Sequence, residues 1–310
     1  MASIIIKEKK FIYKAENEND WWHSHIMAPS AIKINESIIR IYAGCWDIHG
    51  ISRIGYIDVL YDRPDEIIGK STKPILDIGL DGTFDENGVF PGHATIIDNK
   101  AYLYYTGFQL GHKIRHYNFG GLAVSDDFVN FKRVSQSPVL DRSDEGLYVR
   151  AGQSIILEKN LYKTVYSAGS GWALAGDKQR PIYDIYYQES SDPTTFSSKG
   201  SLIVKHNPEI EHGLGRPQII KYENIYLTFY TRRVLNMKYS FGCAVSKDCR
   251  KWDKLDNQII VPHGAENEFD SEMVYFPSAL HFKDNLFYLF YSGNGFGKEG
   301  LGVLLIEINL

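Results

Sequence analysis

Two carboxylates carry the strongest chemical suggestion in this 310-residue sequence. Asp85 lies in Gly82-Thr83-Phe84-Asp85-Glu86-Asn87-Gly88-Val89, and Glu272 in Phe269-Asp270-Ser271-Glu272-Met273. Two carboxylates flanking a glycosidic bond can serve as general acid and as base or nucleophile, which makes Asp85 and Glu272 the candidate catalytic pair. Each has a plainer alternative. An Asp in a Gly/Asn-rich loop caps turns through its own backbone, and Glu272 could be a solvated loop acid.

Around them stands a polar and aromatic set suited to a sugar: His25, His93, Arg150, Gln153, Arg216, Arg232, Asp270, Tyr275, Trp46, Trp172 and Asn294. Carboxylates and arginines hydrogen-bond to hydroxyls, and Trp or Tyr faces stack on a sugar ring. Arg216 either aims at a common axis or bridges two structural units. Arg232 stands where comparable segments carry a small residue, which points to an anion or phosphate, with a surface arginine as the alternative. Trp46 and Trp172 are packing anchors or stacking platforms. His25 and His93 occupy matching places but lack the spacing of a metal site, so no metal is expected. No P-loop, GxGxxG, GxSxG or HExxH pattern is present, and no cofactor is expected.

What brings such distant residues together is an internal repeat. Five segments share a layout in which a small or polar residue, usually Pro, opens an apolar strand: Ala28-Pro29-Ser30, Phe90-Pro91-Gly92, Gly152-Gln153-Ser154, Arg216-Pro217-Gln218 and Phe276-Pro277-Ser278. The markers at 29, 91, 153, 217 and 277 are spaced by 62, 62, 64 and 60 residues. A second strand ends each time in Tyr and a small or basic pair: Tyr42-Ala43-Gly44, Tyr105-Thr106-Gly107, Tyr166-Ser167-Ala168, Tyr230-Thr231-Arg232 and Tyr291-Ser292-Gly293. The runs are rich in Ile, Val, Tyr and Phe and are separated by Gly, Asn, Asp and Pro, which is strand-and-turn chemistry. No window carries a helical period.

A fixed period of about 60 residues with four strands per unit reads as radial repetition, an all-β propeller. The predicted fold is one domain over 1–310, a five-bladed β-propeller with four-stranded antiparallel blades. The last unit reaches Leu310 after its third strand, so the segment Ile4 to Tyr13 is the candidate to supply the missing outer strand and close the ring. In such a fold the first strand of every blade lines the axis. Residues next to the markers therefore converge on one mouth, joined by the ends of the second strands, among them Trp46, Trp172, Arg232, Arg233 and Asn294.

The composition narrows the partners. The chain is 44% hydrophobic, 23% charged and 14% aromatic, enough to bury a sizeable core and far from disorder. A formal net charge of -4 gives no footprint for nucleic acid or anionic membranes. Cys45, Cys243 and Cys249 form neither a disulfide framework nor a CxxC motif. No stretch approaches the roughly 18 apolar residues of a membrane span. The N-terminal run Ile4-Ile5-Ile6 passes at once into charge, unlike a secretory segment, and a cytoplasmic location is expected.

Five repeats opened by a Pro-marked strand resemble the propeller glycosidases of glycoside hydrolase families 32, 43 and 130. The stretches Gly82–Val89, Phe269–Met273 and Asn294-Gly295-Phe296-Gly297 are similar to an uncharacterised bacterial group associated with surface-glycan synthesis. The resemblance implies a propeller and a carbohydrate or activated-sugar ligand. It also implies an Asp before the first marker, where this chain has Ala28, and an Asp in the second unit, where it has Phe90. The leading expectation is an enzyme acting on a glycosidic linkage at the axial mouth. A glycosyl-transferring enzyme of polysaccharide assembly and a non-catalytic carbohydrate-binding propeller are the alternatives.

Overall fold

The computed structural model describes residues 3–256 and 261–309. Its chain is built of strands and turns, with one short helical turn at Asn294–Gly297. Strand β1 (Ser3–Tyr13) comes first. The first antiparallel unit is then β2 (Ser24–Asn35), β3 (Ile38–Trp46), β4 (Ser52–Leu60) and β5 (Ile67–Lys70). The second is β6 (Val89–Ile97), β7 (Lys100–Leu110), β8 (His116–Ser125) and β9 (Lys132–Arg133). The third is β10 (Val149–Glu158), β11 (Leu161–Ala175), β12 (Lys178–Ser190) and β13 (Ser201–Val204).

The fourth unit is β14 (Glu211–Tyr222), β15 (Ile225–Val234), β16 (Ser240–Ser246) and β17 (Asp253–Lys254). In the last, β18 (Tyr275–Lys283), β19 (Leu286–Ser292) and β20 (Leu301–Asn309) are joined by β1, which runs antiparallel to β20 with Phe11 opposite Gly302.

The apolar faces pack unit against unit. Tyr42 and Ile54 meet Leu103 and Tyr105; Tyr104 and Leu122 meet Ile155; Val165 and Ile185 meet Leu214 and Tyr230; Leu227 and Phe229 meet Leu289 and Leu304. The last unit returns to the first, where Phe290 and Val303 pack on Ile41 and Ala43. Burial of these Ile, Leu and aromatic side chains, worth about 1.5–3 kcal/mol each, is what stacks the units. The first strands meet in the same order, β2 against β6 and β18, β10 against β6 and β14, β14 against β18.

Every marker sits at a break in register between first and second strand, as between Met27 and Ser30, Pro91 and Ala94, Ala151 and Ser154, Gly215 and Gln218, and Tyr275 and Ser278. An extra residue there leaves the ladder unpaired, and Pro, which has no N–H to offer it, is suited to the place. In four repeats the residue before the marker has left-handed backbone: Ala28 (φ 55), Gly152 (φ 72), Arg216 (φ 50) and Phe276 (φ 53). Such conformations cost energy outside glycine, and a neighbouring unit holds the three non-glycine residues. The N–H of Arg216 donates to Ser167 Oγ at 3.1 Å, that of Phe276 to Thr231 Oγ1 at 2.8 Å, and that of Ala28 to Ser292 Oγ at 3.2 Å. The hydroxyl that follows the second-strand Tyr is thus a clasp on the neighbouring unit.

Candidate functional site

The bulges turn backbone carbonyls toward the common axis, and one cation gathers them. Arg216 Nε donates to Pro91 O at 2.9 Å, Nη1 to Pro277 O at 3.4 Å, and Nη2 to Ala28 O at 3.2 Å and Pro29 O at 2.6 Å, with Gly92 O also in reach. The side chain is buried, and its hydrogen bonds among the described residues go to carbonyls alone, not to a carboxylate. Burial draws the guanidinium down from its ordinary range, to about 9, because only neutral dipoles compensate its charge. Arg216 therefore bridges the first, second and last units, through their carbonyls.

Above it opens a cavity of about 320 Å³, within the size range of small-molecule sites. Trp46, Phe90, Phe108, Tyr183, Tyr275 and Phe276 give it aromatic walls. Tyr275 stacks on Phe276 with centroids 3.7 Å apart, and Phe90 faces Phe276 at 6.2 Å. Four arginines line it: Arg115, Arg180, Arg216 and Arg233. Among the described residues the lining holds no Asp or Glu, so this is a cationic cavity in a chain of net charge -4.

Arg233 reaches the cavity from the end of β15. Its Nη1 donates to the Tyr183 hydroxyl and its Nη2 to that of Tyr239 at 3.2 Å, while Nε has no partner among the described residues. Tyr239 bonds His212 Nε2 at 2.9 Å, and His212 Nδ1 lies 3.1 Å from Pro181 O. Burial and the Arg233 charge push His212 down to about 3, so the ring is neutral at pH 7, with Nδ1–H donating to Pro181 and Nε2 accepting from Tyr239. His116, stacked on Phe108 at 4.8 Å, is pushed down to about 4 by burial, Arg115 and Arg233.

Of the residues singled out in the sequence, Trp46, Arg216 and Tyr275 line the cavity. His25 backs it, stacked on Trp46 at 3.8 Å with Nδ1 2.9 Å from Ser24 Oγ. Trp172 stands one layer behind, edge-on to His116 at 5.4 Å. His93 and Gln153 are buried beside the axis, and neither side chain has a polar partner among the described residues. Burial and Arg216 hold His93 well below its usual range. No cluster of potential metal ligands occurs among the described residues.

The remaining acids and arginines are absorbed by one recurring device. The second-strand Tyr donates its hydroxyl to a carboxylate inside its own unit, and a cation neutralises that carboxylate. Tyr105 bonds Asp85 Oδ2 at 3.1 Å, with Arg133 at 2.8 Å. Tyr166 bonds Glu145 Oε1 at 2.6 Å, with Arg150 at 2.8 Å. Tyr230 bonds Asp256 Oδ1 at 2.7 Å, with Lys254 at 3.1 Å. Tyr291 bonds Asp270 Oδ2 at 2.6 Å, with Lys9 at 3.1 Å.

Asp85, Arg150 and Asp270 are thus held inside their units, and Arg232 joins them, its Nε 2.6 Å from buried Glu211 Oε1. Glu272 is exposed. Asn294 pins its loop, accepting the N–H groups of Glu272 and Met273 at 2.8 and 2.9 Å and donating to Glu268 O at 3.1 Å. The pairing of Asp85 with Glu272 expected from the sequence is not found in the cavity: one carboxylate is spent on Tyr105 and Arg133, and the other faces solvent.

The sequence reading passed over Arg115, His116, Arg180 and Tyr183 and preferred Arg232 to Arg233. The signal for the last was present. Successive side chains on a strand point to opposite faces, so Arg232 shares the face of Tyr230 and enters the unit, leaving Arg233 for the cavity.

The chain has the fold of propeller glycoside hydrolases. It superposes on a thermostable family-43 glycoside hydrolase with TM-score 0.65 and 18% identity, covering 94% of this chain and 91% of the other. A glycosyl hydrolase from Bacteroides ovatus gives TM-score 0.67 and 15% identity over 98% and 89%. An exo-1,5-alpha-L-arabinanase from a bovine ruminal metagenomic library gives 0.60 and 12% over 91% and 92%. In sequence, the chain is 28% identical over 298 residues to an uncharacterised protein of Mycobacterium tuberculosis, covering 96% of this chain and 97% of that protein. No family model matches the chain.

Proposed function

We propose that this chain is a carbohydrate-active protein of glycoside hydrolase-like build whose axial cavity takes a sugar bearing a negative charge. The reading treats the five units as the blades of one closed ring, with β1 completing the last. The fold it shares with glycoside hydrolases makes a carbohydrate the natural ligand class, and the aromatic walls suit a sugar face. One observation carries the rest: four arginines and no carboxylate line the cavity. Arginines stacked and hydrogen-bonded in an enclosed site favour carboxylate or phosphate groups, whereas cleavage by two carboxylates needs acids that this cavity lacks.

Titration calorimetry of the purified protein with glucuronate and with glucose tests this reading. Glucuronate should bind, and Arg233→Met should remove most of that binding. Equal binding of the neutral sugar, unchanged in Arg233→Met, would overturn it.

A second reading rests on Glu272, exposed and three positions before the cavity residue Tyr275. Here a single acid at the mouth assists cleavage of a glycosidic bond. A screen of aryl glycosides, followed by Glu272→Gln on any that turn over, decides it; retained turnover in that variant removes Glu272.

A further inference from the structure

We infer that the charge this cavity reads is a diphosphate, so that its ligand is a sugar diphosphate ester. The inference rests on the anionic-sugar reading above and goes further in naming the charged group.

The chain has 12 arginines. Arg40, Arg53, Arg63, Arg133, Arg150 and Arg232 are ion-paired with carboxylates. None of the four at the cavity is, among the described residues. Solvent-exposed arginines, as Arg115 is, commonly go unpaired at little cost, but four positive charges around one cavity, with Arg216 buried, repel each other more than they would in open water. A single sugar carboxylate neutralises one of them. A ligand with about two adjacent negative charges and a fan of oxygens answers the arrangement better.

The four stand in two tiers. Arg216 and Arg233 are the inner pair: Arg216 is committed to carbonyls, and Arg233 gives Nη1 and Nη2 to the Tyr183 and Tyr239 hydroxyls while its Nε stays without a partner among the described residues. Arg115 and Arg180 are the outer pair, set at the ends of the β7–β8 and β11–β12 hairpins. Arg180 uses only Nε, toward Ala175 O at 3.3 Å, and Arg115 has no hydrogen-bond partner among the described residues. Both outer forks are free for oxygen ligands.

The two hairpin ends touch. His116, next to Arg115, meets Trp172, which pairs across its strand with Pro181, next to Arg180. The outer forks therefore stand on adjoining hairpins at the cavity, where a diphosphate can meet both and one carboxylate cannot.

The substituent on the far phosphate has two chemical sources. The stacked Phe108 and His116 rings suit a nucleobase. Leu110 and Leu174, 62% and 65% exposed on the same hairpins, suit a prenyl chain. The shared group is the diphosphate, and the experiment separates the sources.

Calorimetry on the full chain compares UDP-glucose and geranyl diphosphate with glucose 1-phosphate and glucuronate, and repeats each with Arg115→Gln/Arg180→Gln. Both substitutions lie at exposed hairpin ends, and circular dichroism with a melting curve verifies the fold; the single variants serve if the double one melts early. One diphosphate should bind the native chain roughly ten-fold or more tighter than glucose 1-phosphate, and the double variant should erase that margin. Tighter UDP-glucose names a nucleotide source, and tighter geranyl diphosphate a lipid one. Equal binding of mono- and diphosphate, or a margin that survives in the double variant, overturns the inference. If glucuronate also fails to bind, the anionic-sugar reading falls with it.

Discussion

Arg232 and Arg233 are chain neighbours on β15 and do opposite work. Arg232 turns into its unit and meets Glu211 Oε1 at 2.6 Å, while Arg233 turns out and bonds the hydroxyls of Tyr183 and Tyr239 at the cavity wall. Glu211 is buried, so removing Arg232 strands a charge away from water. Arg232→Ala should cost about 3 kcal/mol of stability, read as a lowered urea midpoint with little change in ligand affinity per folded molecule. Arg233→Met should do the reverse, keeping the midpoint and weakening an acidic sugar by ~10-fold or more.

Asp85 should prove a stability residue. Its carboxylate accepts from Tyr105 and pairs with Arg133, fully buried inside the second unit. Asp85→Asn keeps the shape and removes the charge, leaving Arg133 and Tyr105 with a weaker acceptor. A loss of about 1–3 kcal/mol in chemical denaturation is expected, with ligand affinity at the wild-type level. A variant of normal stability that has lost function would restore Asp85 to the chemistry.

The clasp between units predicts another loss. Thr231 Oγ1 accepts the N–H of Phe276, a residue held at φ 53. Thr231→Val fills the same volume but leaves that buried N–H unpaired, at a cost of about 1–3 kcal/mol. Thr231→Ser should recover most of it. Equal melting temperatures for Val and Ser variants would show that the hydroxyl does not hold the bulge.

Acid should destabilise the fold before carboxylates titrate. His25 and His212 are buried and held down to about 4 and about 3, chiefly by desolvation, and His93 lies well below its usual range for the same reason. In the unfolded chain histidine takes its proton near pH 6.5, so the unfolded state binds protons first. Stability should be full above about pH 7 and decline as pH falls from about 6.5 toward about 4. Urea titrations across that window check it; a flat stability would mean that these rings are protonated in the folded chain.

The repeat was legible because it is local chemistry: Pro where a ladder hydrogen bond is missing, Tyr followed by a hydroxyl, Gly and Asn at turns. The spacing of Pro29, Pro91, Gln153, Pro217 and Pro277 marked equivalent positions and located Arg216, Tyr275 and Trp46 near one another. It could not say what Asp85 or Arg150 would meet, since their partners Tyr105, Arg133 and Glu145 come into reach only when each unit folds back on itself. Arg115 and Arg180 were missed because they belong to hairpin ends, outside the repeated pattern.

The sequence by itself determined the all-β character, the strand period and the recurring marker positions, because turn chemistry and apolar alternation are written residue by residue. Tertiary structure decided which charges cancel. Acid and base are neutralised inside the units wherever a Tyr, a carboxylate and a cation share a face. Of the arginines without a carboxylate partner among the described residues, four meet at one cavity, because the apolar packing of unit on unit brings the markers and hairpin ends together.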